Sequence, residues 1–454
     1  MNNTELVKNP TKSFAKYVSL NVLSMFCFSL YILADTFFVA NGIGSQGIVA
    51  LNLALPIYSV LNGAGLMIGI GGGTQFSIAL GQKDHLTSNK VFTHSFVLAI
   101  GLGVVFTVIG AGFPEQLATL LGAHENVMEL TSIYIRTVFS FSIVFILNNC
   151  LLAFIRNDGN PNLAMIAMLC GSFSNIILDY VFVFPCQMGM FGAALATGGS
   201  PVISLIILST HFLRKKNGFR LTRCKLMLQR FGKILSNGLA TFVGELSSGS
   251  VILLFNYVIL DLTGDMGVAA YGIIANIALV CLSIYNGIGQ GIQPIVSYNY
   301  GAGKTKNVKR TLWMALTVAL GFGVLFYLSG LFFSSGIIAA FNREGSQELI
   351  QLATRGIHIY FIGFLFMGLN IACTSFFASM AHARQSFLIS MLRGFILIVP
   401  LVLVLPRLWQ MDGVWWTVPI AEIVTFLIAA LIAKSSIRTM EQNAQFTEQE
   451  MDLS

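Results

Sequence analysis

Long apolar runs, interrupted by short polar connections, dominate this chain. Crossing the hydrocarbon core of a bilayer takes about twenty mostly apolar residues in a helix. Twelve stretches meet that requirement: 14–40, 50–80, 92–112, 130–155, 162–184, 191–212, 237–260, 267–298, 312–334, 354–380, 386–405 and 414–433. They predict an all-α integral membrane protein with twelve transmembrane helices, and the even number returns both termini to one side. The apolar run after the opening MNNTELVKNPTKSFAKY is too long for a secretory signal, and it ends without a small-residue cleavage site. The first span is therefore expected to stay in the mature protein.

The longest polar connection, residues 213–236, falls halfway along. Its basic, partly amphipathic pattern suits a segment lying on the anionic inner leaflet, and it marks a boundary between two lobes. The two halves resemble one another at an offset of about 220. Leu61-Asn62-Gly63-Ala64-Gly65 matches Tyr285-Asn286-Gly287-Ile288-Gly289, and Gly81-Gln82-Lys83 matches Gly301-Ala302-Gly303-Lys304. This predicts two six-helix lobes, 1–212 and 237–436, related by a pseudo-two-fold along the membrane normal, with a polar tail at 437–454. A parallel repeat of this kind is a common transporter plan, with substrate held between lobes that rock. Channels and scramblases can be built from repeats too, so the repeat alone does not fix the mode of transport.

Composition agrees with the pattern. Of 454 residues 55% are hydrophobic and 10% charged, against roughly a quarter charged in soluble proteins, and the mean hydropathy is +0.78. Abundant Phe (37), Gly (44) and Met (17) fit helices that approach closely and cavity walls that adapt. The net charge of +7 does not point to nucleic acid, because the bases sit in short loops rather than on the face of a soluble domain. Lys8, Lys12, Lys16, Lys83, Lys90, Arg156, Arg384, Arg393, Lys434 and Arg438 fall on one side, as do the cluster from Arg214 to Lys233 and the group Lys304–Arg310. The opposite loops hold only Arg343 and Arg407. By the positive-inside rule both termini are cytoplasmic.

Familiar enzyme chemistry finds no footing. The seven cysteines are scattered, without a C-x-x-C pair, and read as small packing residues; the six histidines show no metal-ligand spacing. Gly301-Ala302-Gly303-Lys304-Thr305 has the tail of a P-loop, but Tyr298 stands where the pattern needs glycine. The run Gly69-Ile70-Gly71-Gly72-Gly73 completes no dinucleotide fingerprint and reads as a site of close helix packing or a bend. Neither a G-x-S-x-G elbow nor an H-E-x-x-H pair occurs. Prolines 56, 201, 294, 400 and 419 lie in or beside spans and imply kinked packing.

The acids inside the spans carry more information. An ionisable group in hydrocarbon costs about 2.5 kcal/mol or more and normally faces a partner or an aqueous cavity. Four stand out: Asp35, Asp179, Glu245 and Glu422. Asp35 alone reads equally well as an interfacial cap. Asn175-Ile-Ile-Leu-Asp179, however, puts an amide and a carboxylate one turn apart on the same face of the fifth span. Asn148 and Asn149 sit in the fourth span and Thr197 in the sixth, so four helices of the first half offer oxygen ligands, as expected of a lobe built around a cation. Two carboxylates sharing a low-dielectric cavity cannot both ionise easily, so such a pair can hold and exchange a proton. Sodium would use the same carboxylates with the Asn and Thr oxygens as a hard-ligand cage. The repeat brings Asp35 opposite Asn256, so the lobes are functionally unequal. Glu245 reads either as a secondary site or as a polar packing contact, and Glu422 as structural.

These residues together resemble the MATE (multidrug and toxic compound extrusion) family of the MOP flippase superfamily, over essentially all twelve spans. The resemblance rests on Asp35 with Asn41-Gly-Ile-Gly, the paired N-G-x-G segments ending at Gly65 and Gly289, the Arg156-Asn-Asp-Gly159 turn, and Asn175-x-x-x-Asp179. It implies an antiporter of two six-helix lobes that exports organic, often cationic, compounds against H+ or Na+. In the DinF-like branch the cation is held at positions that match Asp35, Asn149, Asn175, Asp179 and Thr197 here. The NorM-like arrangement matches only Glu245 and lacks its second acid. Some members bend the first span at a proline, but none occurs between Ser13 and Ala40.

The expected protein is thus a monomer in a bacterial-type cytoplasmic membrane, with small organic substrates and lipid as partners, no nucleic acid, and no cofactor beyond H+ or Na+ as coupling ion. The rival is a lipid-linked precursor flippase of the same superfamily, which would line its cavity with bases for an anionic headgroup. Few Lys or Arg lie within the spans; Arg136 and Arg355 keep that reading open.

Overall fold

The computed structural model describes residues 5–341 and 346–452, among which every regular element is helical; Arg343 lies outside these residues. Ten helices are individually long and apolar enough to cross a membrane, and the pair Asn126–Ser140 and Ser142–Asn157, bent by 51°, forms another span. The remaining span is contained in one 74-residue helical run, Leu228–Gly301. A continuous helix of that length would reach about 110 Å, several times the roughly 30 Å hydrocarbon core. The run breaks at Gly264, where φ is 64° and ψ −155°, a conformation glycine adopts without steric cost. Spans 7 and 8 meet there, which gives twelve.

The internal repeat is written into the backbone. Left-handed residues recur at matching places in the two halves: Gly44 and Gly264 after spans 1 and 7, Lys83 and Gly303 after spans 2 and 8, Gly159 and Ala381 after spans 4 and 10. The second pair closes its helices alike. Lys83 N–H donates to Leu80 O and Asp84 N–H to Ala79 O, while Gly303 N–H donates to Tyr300 O and Lys304 N–H to Asn299 O.

Two compact units result. One contains Leu23–Leu246; the other contains Ser247 onward together with Glu5–Val22. The division falls inside the helices of spans 1 and 7. Each of these spans is one long helix whose two ends pack with different units.

In the first unit the glycine run of span 2 (Ser45–Gly81) lets three helices approach. A Cβ on Gly69 would stand 2.8 Å from Asn149 O, one on Gly71 2.0 Å from Ile234 O, and one on Gly72 2.2 Å from Ser95 Oγ. Gly238 of span 7 returns the contact, its Cβ position lying 1.9 Å from Met67 O. With lipid outside, such close approach replaces the hydrophobic effect as the source of association.

The connection after span 6 (Gly189–Leu213) is not an amphipathic helix. Residues 216–227 form neither helix nor strand, and helix resumes at Leu228. They are strapped across the first unit instead. Gly218 N–H donates to Asp158 Oδ2 at 2.7 Å, Arg220 N–H to Asn89 Oδ1 at 2.9 Å, Thr222 N–H to Thr93 Oγ1 at 3.0 Å and Met227 N–H to His94 Nε2 at 3.1 Å. Phe219 is buried among Phe76, Phe92, Phe154 and Phe212.

The second unit has a large apolar core in which Trp415, Tyr271, Tyr285, Phe361 and Phe364 are buried. Gly287 and Gly291 admit the backbone of span 1: a Cβ on either would stand 2.7 Å from Val22 Cα or Val18 Cα, respectively. All seven cysteines are free.

Gly71→Ala places a methyl group against a backbone carbonyl that cannot rotate away. We expect it to cost about 1–3 kcal/mol or more and to lower the thermal unfolding midpoint in detergent. Gly101→Ala, with no atom within 4 Å of the new carbon, should leave the midpoint unchanged.

Candidate functional site

Asp35, in the later part of the span 1 helix (Pro10–Gly42), and Asp179, near the end of span 5 (Pro161–Val183), are both withdrawn from solvent, at 7% and 0% exposure. Their side chains are close enough to interact directly. Asn175 lies one turn earlier on span 5, fully buried, and Thr197 is buried on span 6.

Three tyrosines not singled out from sequence complete this group. The hydroxyls of Tyr31 and Tyr58 lie 3.0 Å apart, and both interact electrostatically with Asp35. Tyr134 feels both acids and faces the Thr197 hydroxyl. Spacing could have revealed two of the partnerships, because Tyr31 and Asp35, like Tyr58 and Asn62, share a helix face at i, i+4.

Both Asp179 oxygens, both amide atoms of Asn175, Asp35 Oδ1 and Thr197 Oγ1 are buried without a hydrogen-bond partner. Native interiors leave few such atoms, and each calls for an explanation. A proton shared by the carboxyls would provide the donor that the pair lacks. A hard monovalent cation would offer charge to the same oxygens.

Asn149 is placed differently. Its Nδ2 donates to Asn62 Oδ1 at 3.0 Å, and Asn62 Nδ2 donates in turn to Glu245 Oε2 at 3.0 Å. Glu245 is thus the end of a polar chain crossing spans 4, 2 and 7, and Tyr58 interacts with both Glu245 and Asp35. The N-G-x-G segment makes room for this chain: a Cβ on Gly63 would stand 3.2 Å from Glu245 Cβ, and one on Gly65 2.9 Å from Asn149 Nδ2. Asn256 is half-buried in the other unit and takes no part.

Beside these residues opens a cavity of about 60 Å³ lined by Phe28, Tyr31, Tyr58, Phe145, Met168 and Asn148, among others. No Lys or Arg lines it, and Asn148 Oδ1 is buried without a partner.

The second unit holds an ion pair where sequence reading saw a structural acid and a loop base. Arg393 lies within span 11, in the π-helical turn Leu392–Ile396, not in a connecting loop. Its Nη2 donates to Glu422 Oε1 at 2.8 Å, and Asn370 Nδ2 donates to Glu422 Oε2 at 2.7 Å. It was counted with the loop bases because charge counting ignores depth. The same holds for Arg156, buried in the last turn of span 4.

A family model described as MatE matches residues 21–181 and again 241–404, one match per half. Multidrug export protein MepA of Staphylococcus aureus is 28% identical over 410 residues, covering 89% of each chain. Among solved structures, an outward-facing multidrug resistance MATE family transporter of the MOP superfamily superposes with a TM-score of 0.90 at 21% identity, covering 97% of this chain and 99% of that one. A MATE structure in a bent conformation gives 0.89 at 20%, covering 98% and 99%. The chain belongs to the MatE family, whose members are transporters and not enzymes.

Glu422→Ala strands the Arg393 guanidinium in the second unit. Loss of one member of a buried pair costs about 3–5 kcal/mol, so the unfolding midpoint in detergent should drop sharply. The double change Glu422→Leu with Arg393→Met should recover most of the loss.

Proposed function

We propose that this MatE-family chain is a secondary antiporter that exports organic, cationic or amphiphilic compounds in exchange for H+ or Na+, by alternating access. The observation that carries this reading is the Asp35–Asp179 pair, buried with unpartnered oxygens; Tyr31 and Tyr58, which interact with Asp35, line the neighbouring cavity. Export of drug-like compounds is also supported by the similarity to a multidrug export protein.

The cycle follows from charge. With both carboxylates ionised, the lobe holds negative charge in a low-dielectric site, and an organic cation drawn to that lobe gains from the acids. When H+ or Na+ neutralises the acids, that attraction is lost and the cargo is released. Linkage makes the competition reciprocal, so bound cargo weakens cation binding by the same factor. Asn175 and Thr197 add oxygens to the pair, while Asn149 acts through the chain to Asn62 and Glu245. Span 1 carries no proline beyond its first residue, so coupling in this chain does not need a proline bend.

The cavity's freedom from bases favours a cationic cargo over the anionic headgroup of a flippase. Arg355, one of the two bases that kept the flippase reading open, is paired with Asp412. The surplus of Lys and Arg on one set of loops supports cytoplasmic termini, and the similarity to a bacterial export protein supports a cytoplasmic membrane.

Efflux of a fluorescent organic cation from proteoliposomes, under a pH gradient and a Na+ gradient imposed separately, tests this. One gradient should drive export by the wild type, and Asp35→Asn should lose at least about tenfold of that rate while remaining folded and inserted. Undiminished efflux in the variant would refute the assignment of Asp35; no export under either gradient would refute the antiporter.

A further inference from the structure

We propose that the strap between spans 6 and 7 is a docking surface for anionic phospholipid headgroups. The strap is pinned on one face and exposed on the other. Its inner face is fixed by Phe219 in the aromatic cluster and by four backbone N–H groups held by Asp158, Asn89, Thr93 and His94. Gly218 packs so tightly that a Cβ there would lie 2.4 Å from Asp158 Oδ1.

Its outer face combines two kinds of side chain that a water-facing loop does not keep together. Arg214, Lys215, Lys216, Arg220, Arg223 and Lys225 are exposed, with no Asp or Glu anywhere between Arg214 and Lys233. Leu221 stands between these bases, and Leu226, Met227 and Leu228 follow the last of them, all exposed, Leu228 at 87%. The nearest acid, Asp158, is 6% exposed and already committed to His211 and Gly218. Arg230, at the start of span 7, keeps Nη1 shielded from solvent with no acceptor.

Position decides the partner. The strap begins where span 6 ends at Leu213 and stops where span 7 begins at Leu228, so it runs along the membrane boundary. There the leucines meet acyl chains and the bases meet phosphates. Each Lys or Arg near an anionic surface adds to the attraction, and pinning the strap beforehand removes the ordering cost that a free amphipathic segment would bear on binding. This proposal stands on the strap alone; its failure would leave the antiporter reading untouched.

The test is fluorescence polarisation of acyl-labelled phosphatidylglycerol and phosphatidylcholine with the full-length protein in detergent micelles. Wild type should bind phosphatidylglycerol in preference to phosphatidylcholine. In Arg220→Gln/Arg223→Gln/Lys225→Gln that preference should fall roughly tenfold, with phosphatidylcholine binding unchanged as the control for folding. If the triple variant does not fold, raising salt on the wild type decides, because screening should erase the preference. Equal binding of the two lipids by wild type, a preference that survives high salt, or full retention of the preference in a folded triple variant would overturn the proposal.

Discussion

Holding two carboxyl groups out of water in one lobe is the constraint around which the first unit is organised. Asp35 and Asp179 come from helices far apart in sequence, and neither forms an ion pair with a base among the described residues. Ion pairing is the ordinary way to bury a charge, and the second unit uses it, closing Arg393 on Glu422 with Asn370. The first unit surrounds its acids with hydroxyls and amides instead. A paired charge is satisfied and has little reason to exchange. An unpaired one is left open to an ion that comes and goes, and the proposed coupling uses that property.

Glycine is what lets the surroundings be polar without being loose. Gly63 and Gly65 clear the space into which Glu245 and Asn149 fit, while Gly69, Gly71 and Gly72 bring span 2 against spans 4, 7 and 3. The same motif in the other half serves a different end. Gly287 and Gly291 admit the backbone of span 1, and Gly289 faces Ser375, where the first half has Asn149. One packing plan thus supports a polar chain in one unit and an apolar core with a buried ion pair in the other.

The spans, the repeat and the buried acids of the first lobe were legible because each leaves a local signal: twenty apolar residues, a recurring N-G-x-G, an acid in hydrocarbon. Asn175 with Asp179 is such a signal, and Tyr31 with Asp35 is another of the same spacing that carried no charge to draw attention. The hydrogen bond from Asn62 to Glu245 joins residues 183 positions apart, and no periodicity encodes it. Arg393 was read as a loop base because its burial depends on Glu422 in the following span. The strap was read as amphipathic and basic, correctly in composition. Its conformation was not legible, since it is set by side chains of spans 3 and 4 rather than by its own sequence.

The most direct test of cation coupling at Asp35 and Asp179 is to count ions released when a cargo binds, with no gradient and no transport. Tetraphenylphosphonium added to the purified protein in weakly buffered, Na+-containing detergent solution should displace about one H+ or Na+ per molecule bound, as linkage requires, and Asp179→Asn should bind it without releasing either. Binding to the wild type with no ion released would contradict competition between cation and cargo at this site.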